Sequence, residues 1–243
     1  VYLQAGFGDE NSSQKPLVFL VHGYTGSKEN WLLVMRELGR KYRVVAPDLP
    51  GWGETTRLDD ADYGVVAQSE RLAQFMQSFG ETPGILVGHS MGGHISGLLA
   101  ARHPELVSKL VLMSAAGVEF EQNEFARSVL KGGNPFEVRT RDQFHAQMRL
   151  VFTEPPFVPW PFDEAMVQRR RRDAAFEAKV LDSIGRGTEE VSAVFPSDGL
   201  IGKEPHEGFV DQGGGLKGVI TGFAGHLSRG HGAEVVIDHF HEA

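Results

Sequence analysis

The stretch from Ile85 to Arg102 constrains this chain more than any other. Ile85-Leu-Val87 is a short apolar run that reads as a strand. Gly88-His-Ser-Met-Gly-Gly93 follows directly, and Met91 to Arg102 reads as a helix. The pattern is G-x-S-x-G between a strand and a helix, the context in which such a serine acts as a nucleophile. A serine at the tip of so sharp a turn has a strained backbone. Side chains at positions 88 and 92 would collide with neighbouring backbone, so both must be glycine. The turn lifts the Ser90 oxygen clear of the sheet. The helix N-terminus offers the Met91 N–H and a partial positive charge to a developing oxyanion. The plain alternative is a glycine-rich turn with an incidental serine; the flanking strand and helix favour the nucleophile.

The rest of the chain supplies a frame for that turn. Leu17-Val-Phe-Leu-Val21 is an apolar run suited to a strand buried on both faces, the mark of a parallel sheet. Helical spacing is read over Glu29–Arg40 and Tyr63–Phe79, and strands over Arg43–Ala46 and within Leu106–Met113. Strands alternating with helices predict a parallel sheet covered on both faces. The rhythm breaks between Gly117 and Gly187, where the helical stretches are Glu121–Leu130, Arg141–Phe152 and Asp163–Ile184. Residues 118–185 therefore read as an inserted helical cap, with 1–117 and 186–243 as the core. Strand-like runs return at Val191–Phe195 and Leu216–Ile220. A last helix is expected over Ala233–His241, with Val235, Val236, Ile237 and Phe240 as its apolar positions.

Composition removes several function classes. The net charge is −8, which argues against a nucleic-acid partner. There is no cysteine, so no disulfide, thiolate metal site or cysteine nucleophile can form. Thr82–Ala101 lacks Asp, Glu, Lys and Arg over a length that could span a bilayer. Its five glycines, two histidines and Pro83 suit a buried strand and packed helix better. The first residue is Val1, so an upstream segment is expected to have been lost; no secretory leader is visible in what is present. Cytoplasmic, secreted and periplasmic settings all fit. Glycine is concentrated late: 13 of the 48 residues from 185 to 232, against 17 of the other 195. Gly199–Gly218 is accordingly expected to be loop-like.

A nucleophilic serine needs a base and an acid. In the serine-hydrolase arrangement the base lies between the last strand and the last helix, where His226 stands, with His231 as the fallback. His22 and His89 read as structural, His94 as helix packing, and His239 and His241 as a solvated helix end. The acid should follow the penultimate strand. Asp198 is the candidate, with Glu204, Glu207 and Asp211 as rivals. His22-Gly23-Tyr24 closes the earlier strand, and the Tyr24 N–H would join that of Met91 in an oxyanion hole.

Together these residues resemble the alpha/beta-hydrolase superfamily, in the branch that holds bacterial lipases and monoacylglycerol lipase-like hydrolases. The resemblance runs through His22-Gly-Tyr-Thr-Gly-Ser27 with Trp31, Ala46-Pro-Asp-Leu-Pro-Gly-Trp-Gly53, Gln68-Ser-Glu-Arg-Leu72, Gly88–His94 and Ala101-Arg-His-Pro-Glu105. It continues in Gly133-Asn-Pro135 and Phe152–Pro161, and returns over Gly222–Phe240. It implies an alpha/beta-hydrolase fold, with a mostly parallel central sheet, helices on both faces and an inserted helical cap. It also implies a Ser90–His226–Asp198 triad, no cofactor and no metal. Family members usually carry a Trp-Gly-x-x-Asp-like turn at the acid; here the residues are Phe195-Pro-Ser-Asp198. The implied activity is hydrolysis of a small ester or lipid, with Phe144, Phe152, Phe157 and Trp160 as apolar substrate contacts. Arg169-Arg-Arg-Arg172 reads as a solvated helix face or as a contact to an anionic lipid surface. Cleavage of a carbon–carbon bond in a ring-cleavage dienoate, on the same fold, is the rival enzyme reading. A ligand-binding homologue with impaired catalysis is the rival from another class.

Overall fold

A computed structural model of the chain describes residues 1–8, 12–81, 83–117, 134, 136–152, 154–185, 200–201 and 235–238. The chain divides into two compact units. One comprises Val1–Glu119 with Gly187–Ala243, the other Phe120–Arg186.

The first unit is built on a sheet. Its elements in chain order are β1 (Tyr2–Ala5), β2 (Leu17–Val21), α1 (Leu32–Leu38), β3 (Arg43–Pro47), α2 (Val65–Gln77), β4 (Gly84–His89), α3 (Met91–Arg102) and β5 (Val107–Met113). The second unit contributes α4 (Arg141–Val151) and α5 (Phe162–Gly185). Two strands then return to the sheet, β6 (Leu200–Ile201) and β7 (Val235–Asp238). Among the described residues the sheet has seven strands, in the order β1-β3-β2-β4-β5-β7-β6. β1 runs antiparallel to β3 and every other pairing is parallel. All five residues of β2 and of β3 are buried, as strands covered on both faces require.

Alternation along the strands divides the core. Val18 and Leu20 of β2 point to one face with Val44, Ala46, Ile85 and Val87, against Val34, Met35 and Leu38 of α1. Phe19, between them, points to the other. It meets Phe75 and Phe79, which with Tyr2 form an edge-to-face aromatic group with centroids 5.3 to 6.2 Å apart. Residues 91–100 of α3 are all buried, which explains why the uncharged Thr82–Ala101 stretch suits a globular interior. Among the described residues no helix is long and apolar enough to cross a membrane.

The order of strands positions the chemistry. The chain lays β3 on one side of β2 and then crosses to place β4 on the other. The direction of winding reverses between β2 and β4, and a crevice opens at the carboxyl ends of strands at such a point. In the register Val21 lies beside Gly88. The loop after β2 and the turn after β4 therefore emerge side by side.

Two expectations are corrected. The helix expected over Ala233–His241 is replaced by strand β7, with Leu110, Val111 and Leu112 of β5 beside Val235, Val236 and Ile237. Three successive branched apolar residues do not make a helical stripe. They suit an extended strand with both faces covered. Within Gly199–Gly218, expected as loop, Leu200 and Ile201 pair with Val235 and Val236; two adjacent apolar residues find a strand edge despite the flanking glycines. The expected strands at Val191–Phe195 and Leu216–Ile220 and the helix at Glu121–Leu130 lie outside the described residues.

The second unit has its own small core. Val138, Phe144 and Val167 are buried together, with Met148 and Val158 packed against them. Thr140 caps α4: its hydroxyl accepts the Gln143 N–H at 3.2 Å, and the Gln143 side chain accepts the Thr140 N–H at 3.1 Å. Such a cap contributes about 1 kcal/mol. Asp163, in the first turn of α5, is fully buried. Burial alone would raise its pKa. Arg141 at 2.7 Å, the Glu164 N–H at 2.7 Å and His145 at 3.2 Å outweigh burial and hold it below the ordinary value of 3.8. A depressed carboxylate pKa stabilises the fold above the unfolded value, and that contribution disappears as pH falls through the folded value. Thermal unfolding should therefore show Asp163→Asn melting below the wild type at pH 6, with the gap narrowing as pH falls below 3.8.

Candidate active site

Ser90 occupies the turn between β4 and α3 with φ 54° and ψ −122°, a left-handed conformation that costs a non-glycine residue about 1–3 kcal/mol. Four backbone hydrogen bonds hold it there. The Ser90 N–H donates to the Met113 carbonyl at 2.9 Å, at the end of β5. The Ser90 carbonyl accepts the N–H groups of Gly93 at 2.9 Å, His94 at 3.2 Å and Ala116 at 3.0 Å. The chain after β5 thus fastens the turn from one side. The expected collisions are present. A Cβ on Gly88 would overlap the Gly92 carbonyl and lie 2.6 Å from Ser96 Oγ. One on Gly92 would overlap the His22 carbonyl and lie 2.5 Å from that of Val21.

The loop after β2 passes against this turn. A Cβ on Gly23 would lie 3.0 Å from the Ser90 Cβ, so Tyr24 begins its turn beside the serine. His22 braces the loop and is 1% exposed. Its Nε2 accepts the Leu49 N–H at 3.0 Å, so the ring proton sits on Nδ1, which donates to the Gly23 carbonyl at 2.9 Å. The histidine is neutral and structural in this geometry. The Tyr24 ring meets Trp52 edge to face at 5.4 Å. Met91 is the first residue of α3, and the first N–H groups of a helix have no partner within it. A helix N-terminus and the Gly23–Gly26 turn thus flank the serine, an arrangement suited to stabilising negative charge on an oxygen carried by a carbon bonded to Ser90 Oγ.

The other expected residues are placed as follows. His89 is exposed at the end of β4, and His94 is buried in α3. Phe144 belongs to the core of its own unit. Phe152, Phe157 and Trp160 are exposed at 44%, 90% and 71%. Asp198 and His226 lie outside the described residues, as do Glu204, Glu207, Asp211 and His231. Among the described residues no group of His, Asp and Glu could hold a metal ion. One cluster was not anticipated: the buried Lys28 with Asp48, Glu29 and Glu54. Its only local signal is Asp48 within the Pro47–Gly53 turn sequence.

The sequence matches the alpha/beta hydrolase fold family over residues 16–148, more than half of the chain. Lipase 1 of Psychrobacter immobilis is 34% identical over 189 residues, covering 76% of this chain and 57% of that protein. The 2-hydroxymuconate semialdehyde hydrolase of Pseudomonas sp. strain CF600 is 33% identical over 196 residues, covering 76% of this chain and 63% of that one. Among solved structures, a membrane phospholipase A described as a bacterial virulence factor superposes with a TM-score of 0.76 at 32% identity. That match covers 98% of this chain and 74% of the other. The chain spans less than two thirds of the length of either sequence relative.

Proposed function

This chain belongs to the alpha/beta hydrolase family, and from that premise we propose that it hydrolyses carboxylic esters by a serine mechanism. The observation that carries the reading is Ser90 held at left-handed φ between β4 and α3. Ser90 Oγ attacks the ester carbonyl while His226 takes its proton and Asp198 fixes the imidazole tautomer. The Tyr24 and Met91 N–H groups receive the oxyanion. His226 then protonates the departing alcohol, and the acyl group remains on Ser90. Water, deprotonated by His226, attacks the acyl carbon; the acid leaves and Ser90 recovers its proton.

Residues 118–185 act as a cap in this reading. Phe152, Phe157 and Trp160 supply apolar surface for an acyl chain or for a lipid interface, while Phe144, buried with Val138 and Val167, holds the cap together. Exposed Arg171 and Arg172 add positive charge on the same unit, which suits an anionic lipid surface. The lipase and phospholipase relatives support the ester reading. The relative named for a semialdehyde product of ring cleavage supports a second one, hydrolysis of a carbon–carbon bond by the same serine.

A fluorophosphonate probe and two substrates separate these readings. Labelling at Ser90 with turnover of p-nitrophenyl esters supports the ester hydrolase. Labelling with turnover of a dienoate alone transfers the assignment to the carbon–carbon reaction. No labelling of the intact protein would exclude both. Turnover across ester chain lengths then reports how much acyl surface the cap provides.

A further inference from the structure

The geometry points to Lys28 as a positioning residue: its ammonium clamps the loop after β2 onto the loop after β3, and so sets the direction of the Tyr24 N–H. The inference rests on the reading of Tyr24 as an oxyanion donor.

Lys28 is 4% exposed. Its Nζ lies 2.8 Å from Asp48 Oδ2, 2.7 Å from Glu54 Oε2 and 2.8 Å from Glu29 Oε1. The Asp48 side chain is fully buried. Its carboxylate also accepts the Lys28 N–H at 2.8 Å and the Glu54 N–H at 2.9 Å. One carboxylate therefore binds the backbone of both loops and the ammonium between them. Gly53 passes over it at φ +57°, where a Cβ would overlap the carboxylate. Burial opposes the charge on Lys28, but the bonds to Asp48, Glu29 and Glu54 outweigh it and raise the pKa. Burial likewise opposes ionisation of Glu29, and the bonds from Lys28 and Ser27 still bring it down to about 2. The pair therefore stays ionised through neutral pH.

A buried ion pair is a poor way to gain stability, since apolar residues of similar size often do as well. What it adds here is fixed geometry. The loop from His22 to Lys28 is held at three points, and the four partners lie between residues 48 and 54. His22 accepts from Leu49, the Tyr24 ring meets Trp52, and Lys28 meets Asp48 and Glu54. Between the clamps, Thr25 sits at φ 60° and the Gly26 N–H closes a turn onto the Gly23 carbonyl at 3.1 Å. A non-glycine residue leaves the left-handed region when its surroundings no longer hold it there. Releasing the Lys28 end would let that turn relax and swing the Tyr24 N–H away.

The test compares wild type, Lys28→Met and Lys28→Met/Asp48→Asn. Single Lys28→Met leaves a buried carboxylate without its cation and should lower the melting temperature; the double variant removes both charges and should recover it. With p-nitrophenyl butyrate, Lys28→Met should lower kcat about ten- to a hundredfold, with KM within about twofold, the scale of an ~1 Å misplacement. The double variant should remain slow after its stability returns. Amide hydrogen exchange should quicken in the 22–28 peptide of both variants and stay unchanged in β4. Recovery of kcat along with melting temperature would reduce Lys28 to a structural role and overturn the inference. Unchanged exchange at 22–28 would overturn it as well. Should the wild type hydrolyse no ester, the ester reading falls, and the exchange measurement alone decides the clamp.

Discussion

Replacing Ser90 with alanine should lower ester turnover by about 10⁴-fold or more, as removal of the nucleophile does in serine hydrolases. The fold should be indifferent to the change. The Ser90 side chain makes no capping hydrogen bond to α3; the backbone groups hold the turn, through Met113, Gly93, His94 and Ala116. Alanine leaves all four bonds in place, so melting temperature and KM should stay near wild type. Ser90→Gly sharpens the test. It removes the same oxygen but tolerates φ 54° without strain, so it should be as inactive and about 1 kcal/mol more stable. Retention of a tenth of wild-type turnover by either variant would remove Ser90 from the mechanism. The same assay extends to its proposed partners. His226→Ala should fall nearly as far, and Asp198→Asn by about 10⁴-fold through loss of the correct tautomer. A near-normal rate for Asp198→Asn would move the acid to Glu204, Glu207 or Asp211.

What could be read in advance was whatever local pattern specifies. β4, the serine turn and α3 were legible because an apolar run, fixed glycines and a helical stretch lie end to end. The observed α3, Met91–Arg102, has the bounds that the sequence suggests. The parallel arrangement followed from strands with no polar face, such as β2. β1 was missed because Tyr2-Leu-Gln-Ala5 is a short alternating edge strand without an apolar run. The Lys28 cluster was missed for a different reason. Its partners lie 20 and 26 residues away, and a lysine in a loop looks solvated until the tertiary fold closes over it. At β7 the succession of three branched residues carries no helical period, and the strand wins. Asp198 and His226 are indicated by chain order and by the family resemblance, and both lie outside the described residues.

The second large effect concerns a residue with no chemistry of its own. Gly92→Ala adds one methyl group to the first turn of α3, where alanine is normally the better helix former. Here the methyl has nowhere to go. It would overlap the His22 carbonyl and lie 2.5 Å from the Val21 carbonyl and 2.9 Å from its carbon. These are backbone atoms at the end of β2, in the middle of the sheet, and cannot turn aside as a side chain would. Either α3 moves away from β2 or the β2 loop lifts. Overpacking of this kind costs about 3 kcal/mol, which denaturant unfolding would register as a lower midpoint at an unchanged slope. The displacement also separates Ser90 from the Gly23–Tyr24 turn, so kcat should fall about 100-fold in the molecules that remain folded. Gly80→Ala is the matched control. Unlike Gly92, which is helical, Gly80 adopts a left-handed φ, +66°, and a Cβ there meets nothing within 4 Å. It should cost only about 1 kcal/mol of backbone strain and leave kcat untouched. Equal effects at both positions would mean that the close approach of α3 to β2 does not govern the serine turn.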